Sequence, residues 1–221
     1  MNREGGPGAK RRRKGMSPWF RFCLVSLMLL VTAGCATAPP ENPHDLCDIF
    51  TEKRNWYLDA KASKKRWGVP ISVMMAFAYQ ESSFKATIKP PRKMILGFIP
   101  GPRLSNSKGY SQATRETWQL YKDDAGNWGA DRDDFGDAID FIGWYNHLSH
   151  ERNGISKSDP YHLYLAYHEG HGGFSRKTYK SKQWLIDVAK KVTRRSQTYS
   201  RQLKSCQKKL DGGFFRRLFG F

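Results

Sequence analysis

The sequence predicts an all-α fold. Three observations lead there: apolar residues recur at three- and four-residue spacing, helix starts are marked by a capping side chain followed by proline or an apolar face, and no segment alternates apolar and polar residues as a half-buried strand would. With 221 residues, 39% of them hydrophobic and 14% aromatic, the chain has enough apolar material for one core. No run of eighteen apolar residues occurs, which excludes a multi-span membrane protein. Neither GxGxxG nor GxxxxGK[ST] is present, so nucleotide chemistry has no motif support. Eleven prolines and 20 glycines without a period exclude a collagen-like fibre.

Asn42-Pro43 reads as a helix start, and Leu46, Ile49, Phe50, Trp56, Tyr57 and Ala60 follow on one face as far as Gly68. Val69-Pro70 opens a second helix, Ile71 to Ser82, apolar nearly all round and therefore central. Residues 85–109 hold four prolines and three glycines and read as a long loop. Within it the apolar run Met94–Ile99 either lines a groove, binds a partner or tucks onto the domain. A short helix spans Ala113 to Lys122. Asp134 caps another, with Phe135, Ala138, Ile139, Ile142, Tyr145 and Leu148 on one face and Gly154 after it. Asp159-Pro160 repeats the capping signal for a helix ending at Gly170, and a last basic helix runs from Ser181 to Lys209. The tail, residues 210–221, is aromatic and basic: a disordered end or a membrane-touching segment.

The N-terminus reads as an address. Seven basic residues occupy positions 1–21, an apolar stretch runs from Phe22 to Val31, and Thr32-Ala33-Gly34-Cys35 follows. A basic head, a short apolar middle and small residues make a secretory signal. Its ending resembles a bacterial lipoprotein signal, which implies cleavage after residue 34, diacylglycerol on Cys35 and a lipidated linker over residues 35–43. Ala36, rather than Asp, resembles the pattern that allows sorting to the outer membrane, facing the periplasm. Without residues 1–34 the chain keeps 31 basic and 19 acidic residues, a balance of +12. That charge suits an acidic polymer and fits nucleic acid equally well, but export argues against nucleic acid. Cys47 and Cys206 are then a lone pair in an oxidising compartment: a disulfide tying the first helix to the last, or two buried thiols.

Glu81 ends the most apolar helix. A carboxyl in an apolar wall loses solvation of its charged form, its pKa rises, and it can serve as a general acid near neutrality. The segments Gln80-Glu81-Ser82-Ser83-Phe84, Gly109-Tyr110-Ser111-Gln112 and Ala166-Tyr167-His168-Glu169-Gly170, in this order, resemble the lytic transglycosylases of the soluble-lytic (SLT) type, relatives of goose-type lysozyme. The helix around Gly143-Trp144-Tyr145 looks like a further family element, and the resemblance spans about residues 66–170. It implies a lysozyme-like helical domain over residues 44–209 that acts on peptidoglycan glycan strands without a cofactor. Glu81 would be the single acid/base for cleavage between MurNAc and GlcNAc with closure of a 1,6-anhydro ring. Ser82 would fix the turn after it, and Gln112 would donate to the sugar. Tyr110, Ser111, Tyr167 and His168 would line the groove. In this chain Tyr110-Ser111 stand where Leu-Met are usual, and His168 stands where Asn is usual. Glu169 is either a second carboxylate for ordinary hydrolysis or a solvated helix-end residue. The His168-Glu169-Gly170-His171 run lacks the HExxH spacing of a zinc site, and no metal is expected. Tyr79, Tyr110, Trp118, Trp144 and Tyr167 are candidate sugar platforms, most of them expected in the core.

Overall fold

The computed structural model describes residues 38–95 and 99–219. The signal segment and Cys35 lie outside the described residues. Seven α-helices are described: α1 Leu46–Glu52, α2 Arg54–Trp67, α3 Ile71–Ser82, α4 Arg115–Ala125, α5 Phe135–Asn153, α6 Pro160–Ser175 and α7 Gln183–Phe219. A 3-10 turn, Thr178–Ser181, joins α6 to α7. The all-α expectation holds for the domain.

Helix α3 is the hub. Every residue from Ile71 to Ala78 is buried, and the helix packs against both α5 and α7. A helix apolar on all sides has no face to give to water, so it is enclosed by its neighbours. Pro70 sets its start, and Ser83 in the left-handed region ends it. Asp134 accepts from Asp137 N (3.0 Å) and Asp159 from Tyr161 N (3.1 Å), as the capping signals predict for α5 and α6.

Four expectations are corrected. The first helix is two: Lys53 leaves helical geometry at φ −108°, ψ 68°, and Phe50 and Tyr57, on either side of this break, meet at 5.2 Å between rings. Its cap is Asp45, which accepts from Cys47 N (2.7 Å), and not Asn42. The long loop contains an antiparallel ribbon, β1 Arg92–Ile95 and β2 Ile99–Arg103, with Ile95 opposite Ile99 and Met94 opposite Pro100. Pro100 and Pro102 conceal β2 from a strand search, yet a two-stranded ribbon leaves each strand a free edge where a missing N–H costs nothing. Finally, α7 does not stop at Lys209. Leu210 is buried, and the Asp211 carboxylate accepts from Tyr57 Oη (2.7 Å) and Lys61 Nζ (2.6 Å), so the start of the tail belongs to the domain.

The two ends of the domain are fastened together. A disulfide joins Cys47 on α1 to Cys206 on α7, 159 residues apart in sequence. Around it, Tyr199 Oη donates to Pro43 O (2.5 Å), and Leu46 N donates to Gln202 Oε1 (3.1 Å).

Candidate active site

Glu81 sits on the last turn of α3, half-buried between that helix and α6. Burial pushes its carboxyl up from the usual 4.5 to about 7, and a hydrogen bond from the Tyr164 hydroxyl opposes that rise. Tyr164 and Tyr167 lie three residues apart on α6 and therefore share a face. Both meet the Phe77 ring edge-on, at 5.2 and 5.3 Å. Phe77 lies four residues before Glu81, so one face of α3 carries the aromatic contact and the carboxyl together. Burial pushes the Tyr167 phenol well above its usual value, and Glu81, Tyr145 and Tyr164 push in the same direction. Its hydroxyl stays neutral and donates to Ser111 O (2.7 Å).

After Glu81 the chain turns sharply. Ser82 Oγ donates to Ala78 O (3.0 Å), and Ser83 and Phe84 both take positive φ, 50° and 61°. A bulky residue there is strained, and the fully buried Phe84 ring, 5.6 Å from Tyr79 and from Trp56, holds it in place. Ser82 is itself buried, and its contact fixes the helix end, not a sugar.

The second motif is a backbone device. Gly109 has φ 79°, and a Cβ there would collide with the Arg132 carbonyl, which explains the glycine. Tyr110 is 1% exposed and packs edge-on against Trp56 and Phe135, so the expected groove residue is a core residue. Gln112 is also corrected. Its amide Nε2 donates to Gly109 O (2.8 Å) and to Ile88 O (3.1 Å), and its Oε1 accepts from Ser107 Oγ (3.2 Å). Both amide hydrogens are thus committed to the loop, and none is left for a sugar. Ser111 presents its carbonyl to Tyr167, while its buried Oγ has no hydrogen-bond partner.

The third motif splits at Gly170, whose φ 74° and ψ 158° interrupt α6 in a conformation open to glycine. Tyr167 faces the site. His168 is exposed and rests edge-on against Trp184 at 5.0 Å, with Nδ1 3.2 Å from Glu169 Oε1. Glu169 is neither solvated nor a poised acid: its side chain is 3% exposed, and it accepts from Lys182 Nζ (2.7 Å) and Thr178 Oγ1. Burial works to raise its pKa, but the bonds from Lys182, Thr178 and His168 outweigh that and bring it down to about 2. Among the described residues no group of three His, Cys, Asp or Glu is placed to hold a metal ion.

Sequence reasoning missed Tyr164, and it named Tyr145 and His171 without assigning either a place beside Tyr167. Tyr145 meets Tyr167 at 5.0 Å and stacks on His171 at 4.5 Å, and His171 Nε2 lies 3.0 Å from Ser149 Oγ. This stack lines a cavity of about 460 Å³ with Trp144, Leu120 and Leu148. Helical phase alone could have found Tyr164, one turn before Tyr167. Trp118 and Trp144 are buried, whereas Tyr79 and Tyr167 keep part of their rings at the surface.

No curated protein and no solved structure matches the chain. The family model for the transglycosylase SLT domain matches residues 23–206, most of the sequence and all three motifs. The chain therefore belongs to the transglycosylase SLT domain family, whose general function is the lytic-transglycosylase type of action on peptidoglycan.

Proposed function

We propose that this protein is a peptidoglycan lytic transglycosylase with Glu81 as its single acid/base. The carrying observation is the Glu81 carboxyl, held near pH 7 by an apolar wall and touched by the Tyr164 hydroxyl. A carboxyl with that pKa is protonated in a large fraction of molecules at neutral pH and can then act as a base once it has given up its proton. Glu81 protonates the bridging oxygen as the bond from MurNAc C1 breaks, and GlcNAc leaves with that proton on its 4-hydroxyl. The 2-acetamido oxygen of MurNAc shares the positive charge left on C1. The Glu81 carboxylate takes the proton of the 6-hydroxyl of the same sugar, and O6 closes on C1. One C–O bond is broken and one is formed, the carboxyl ends protonated, and no water is consumed.

Ordinary glycoside hydrolysis uses two carboxyl groups flanking the bond. Glu169, the rival second carboxylate, is tied to Lys182 and Thr178 and ionised, which supports the single-carboxyl reading. Tyr167, anchored on Ser111 O, would support the carboxyl or the acetamido group from the facing wall.

The test uses full-length protein in nonionic detergent, purified peptidoglycan and mass spectrometry of released fragments. Fragments lighter by one water (about 18 Da) than hydrolysis products are expected, and Glu81→Gln should abolish them. Fragments with reducing ends would replace this reading with hydrolysis. Wall binding without any fragment would make the protein a binding module. The location belongs to the same proposal: diacylglycerol on Cys35 and residence in the outer membrane, facing the periplasm. Cys35→Ala should release the protein from membranes, and retention would refute the anchor.

A further inference from the structure

We infer that a basic hollow beside Glu81 holds the free carboxylates of the peptide stem carried by the glycan strand. The hollow has a volume of about 500 Å³, within the range of ligand sites, and is lined by His44, Tyr79, Gln80, Lys191, Arg194 and Arg195 together with Thr198. It is built by packing α3 against α7, with His44 from the segment before α1 at its rim. Lys191, Arg194 and Arg195 fall at i, i+3 and i+4 on α7, so their charges converge on one face. Arg195 is fixed: its guanidinium lies 3.6 Å from the Tyr79 ring centroid, and Nη1 donates to His44 Nδ1 (3.2 Å). Neither contact neutralises it, and its remaining N–H groups keep the planar fork that suits a carboxylate.

No carboxylate is among the described residues lining this hollow. Two acids of the neighbouring elements are engaged elsewhere: Asp45 caps α1, and Asp187 lies 3.8 Å from Lys190. A second basic hollow, near the ribbon, has no carboxylate among its described lining residues either, but most of its cations are engaged. There Arg103 donates to Pro90 O, Arg132 to Asn106 O and Ala113 O, and Lys108 pairs with Asp133. These three cations hold the protein's own loops. In the first hollow Lys191 and Arg194 are exposed, and Arg195 rests on Tyr79 and His44.

Position selects the ligand. Tyr79 and Gln80 are the two residues before Glu81 on one helix, and a helix rises about 1.5 Å per residue. Successive residues of a helix turn by about 100°, so the hollow opens on a flank of α3 away from the Phe77 face that carries Glu81. A peptide stem, spanning about 3.3 Å per residue, reaches from a strand at Glu81 round to that flank, and the acid it carries is a carboxylate. The inference rests on the Glu81 reading for that placement, and its test separates the two.

The test uses full-length protein in nonionic detergent and two fluorescent stem peptides, one with free carboxylates and one with carboxamides. Fluorescence anisotropy is expected to show the acidic peptide bound about three- to tenfold tighter by the wild type. Lys191→Gln with Arg194→Gln should erase that preference. Both residues are exposed, so thermal unfolding should be unchanged. Lys204→Gln with Lys208→Gln, equal in charge and exposed on the same helix outside the hollow, should keep it. Equal binding of the two peptides by the wild type, or equal loss in both double variants, would overturn the inference. So would a Lys191/Arg194 effect confined to phosphatidylglycerol vesicles or inorganic phosphate. In a parallel assay, stem-bearing glycan should show a raised KM with the Lys191/Arg194 variant, and stem-stripped glycan should not. If the wild type cleaves neither glycan, the function proposed for Glu81 falls while the peptide result still stands. If glycan is cleaved but the peptides bind alike, only the hollow's role falls.

Discussion

Replacing Glu81 by Gln should make the protein more stable above pH 7 and leave its stability unchanged near pH 4.5. The amide keeps the shape of the side chain, and its Oε1 still accepts from Tyr164, so the exchange isolates the charge. Folding carries the Glu81 carboxyl from the usual 4.5 to about 7 because burial disfavours its ionised form. The folded state therefore binds the proton more tightly than the unfolded chain. This contribution is fully present below pH 4.5 and is lost as pH rises through about 7. The full difference between 4.5 and about 7 corresponds to about 3 kcal/mol. For a domain of this size that is about 6–12 °C in Tm. Urea or thermal unfolding of both proteins between pH 4.5 and 8 gives the difference directly, because the other titrating groups are shared and cancel. The curve should start near zero and climb in favour of Gln. A flat difference across that range would show that no buried ionisation is at work, and the argument for Glu81 as a poised acid would fail with it.

Tyr164→Phe removes the bond that favours the Glu81 carboxylate, so the alkaline limb of the pH–rate profile should move to higher pH, with the sign read from initial rates of glycan cleavage. Glu169→Gln should lose about 1–3 kcal/mol of stability by breaking the link to Lys182 and Thr178 while leaving anhydro products; wild-type stability from this carboxylate is present above pH 4.5 and is lost only as pH falls through about 2. A switch to reducing-end products would instead give Glu169 a chemical role. Reducing the Cys47–Cys206 bond, or Cys47→Ser with Cys206→Ser, should cost about 3–5 kcal/mol in denaturant unfolding, since the bond closes most of the domain into one loop. Tyr167→Phe should cost about 1 kcal/mol for the lost Ser111 bond and lower kcat more than it changes KM.

What could be read from the sequence was local or periodic. Helix α3 is legible to the residue because Val69-Pro70 and Ser83 bracket a stretch with no polar face, and Asp134 and Asp159 announce α5 and α6 by the caps they form. Glu81 is legible for the same reason: its neighbours in sequence are also its environment. The roles of Gln112 and Tyr110 were not legible. Whether an amide donates to a ligand or to its own loop depends on Ile88, 24 residues away, and whether a tyrosine is a platform or core depends on Trp56 and Phe135. The ribbon was concealed because its second strand carries prolines, and the break at Lys53 because an apolar face continues on both sides of it.

For the proposed reaction, the geometry also offers a reason why one carboxyl would suffice. A hydrolase must bring water to the cation at C1 and activate it with a second base, whereas ring closure uses a hydroxyl already bound to the same sugar. The surroundings of Glu81 favour the second course. Phe77, Tyr164 and Tyr167 give the site an apolar, tightly packed wall, and the tyrosine hydroxyls are directed to Glu81 and to Ser111 O. Such a wall raises the acid's pKa and withholds water by the same contacts. Opening the wall should therefore change two observables together. Phe77→Ala would lower the Glu81 pKa by admitting solvent and would divert part of the reaction to hydrolysis, seen as reducing-end fragments beside anhydro ones. A variant that lowers the pKa but leaves the product purely anhydro would show that acidity and water exclusion have separate origins.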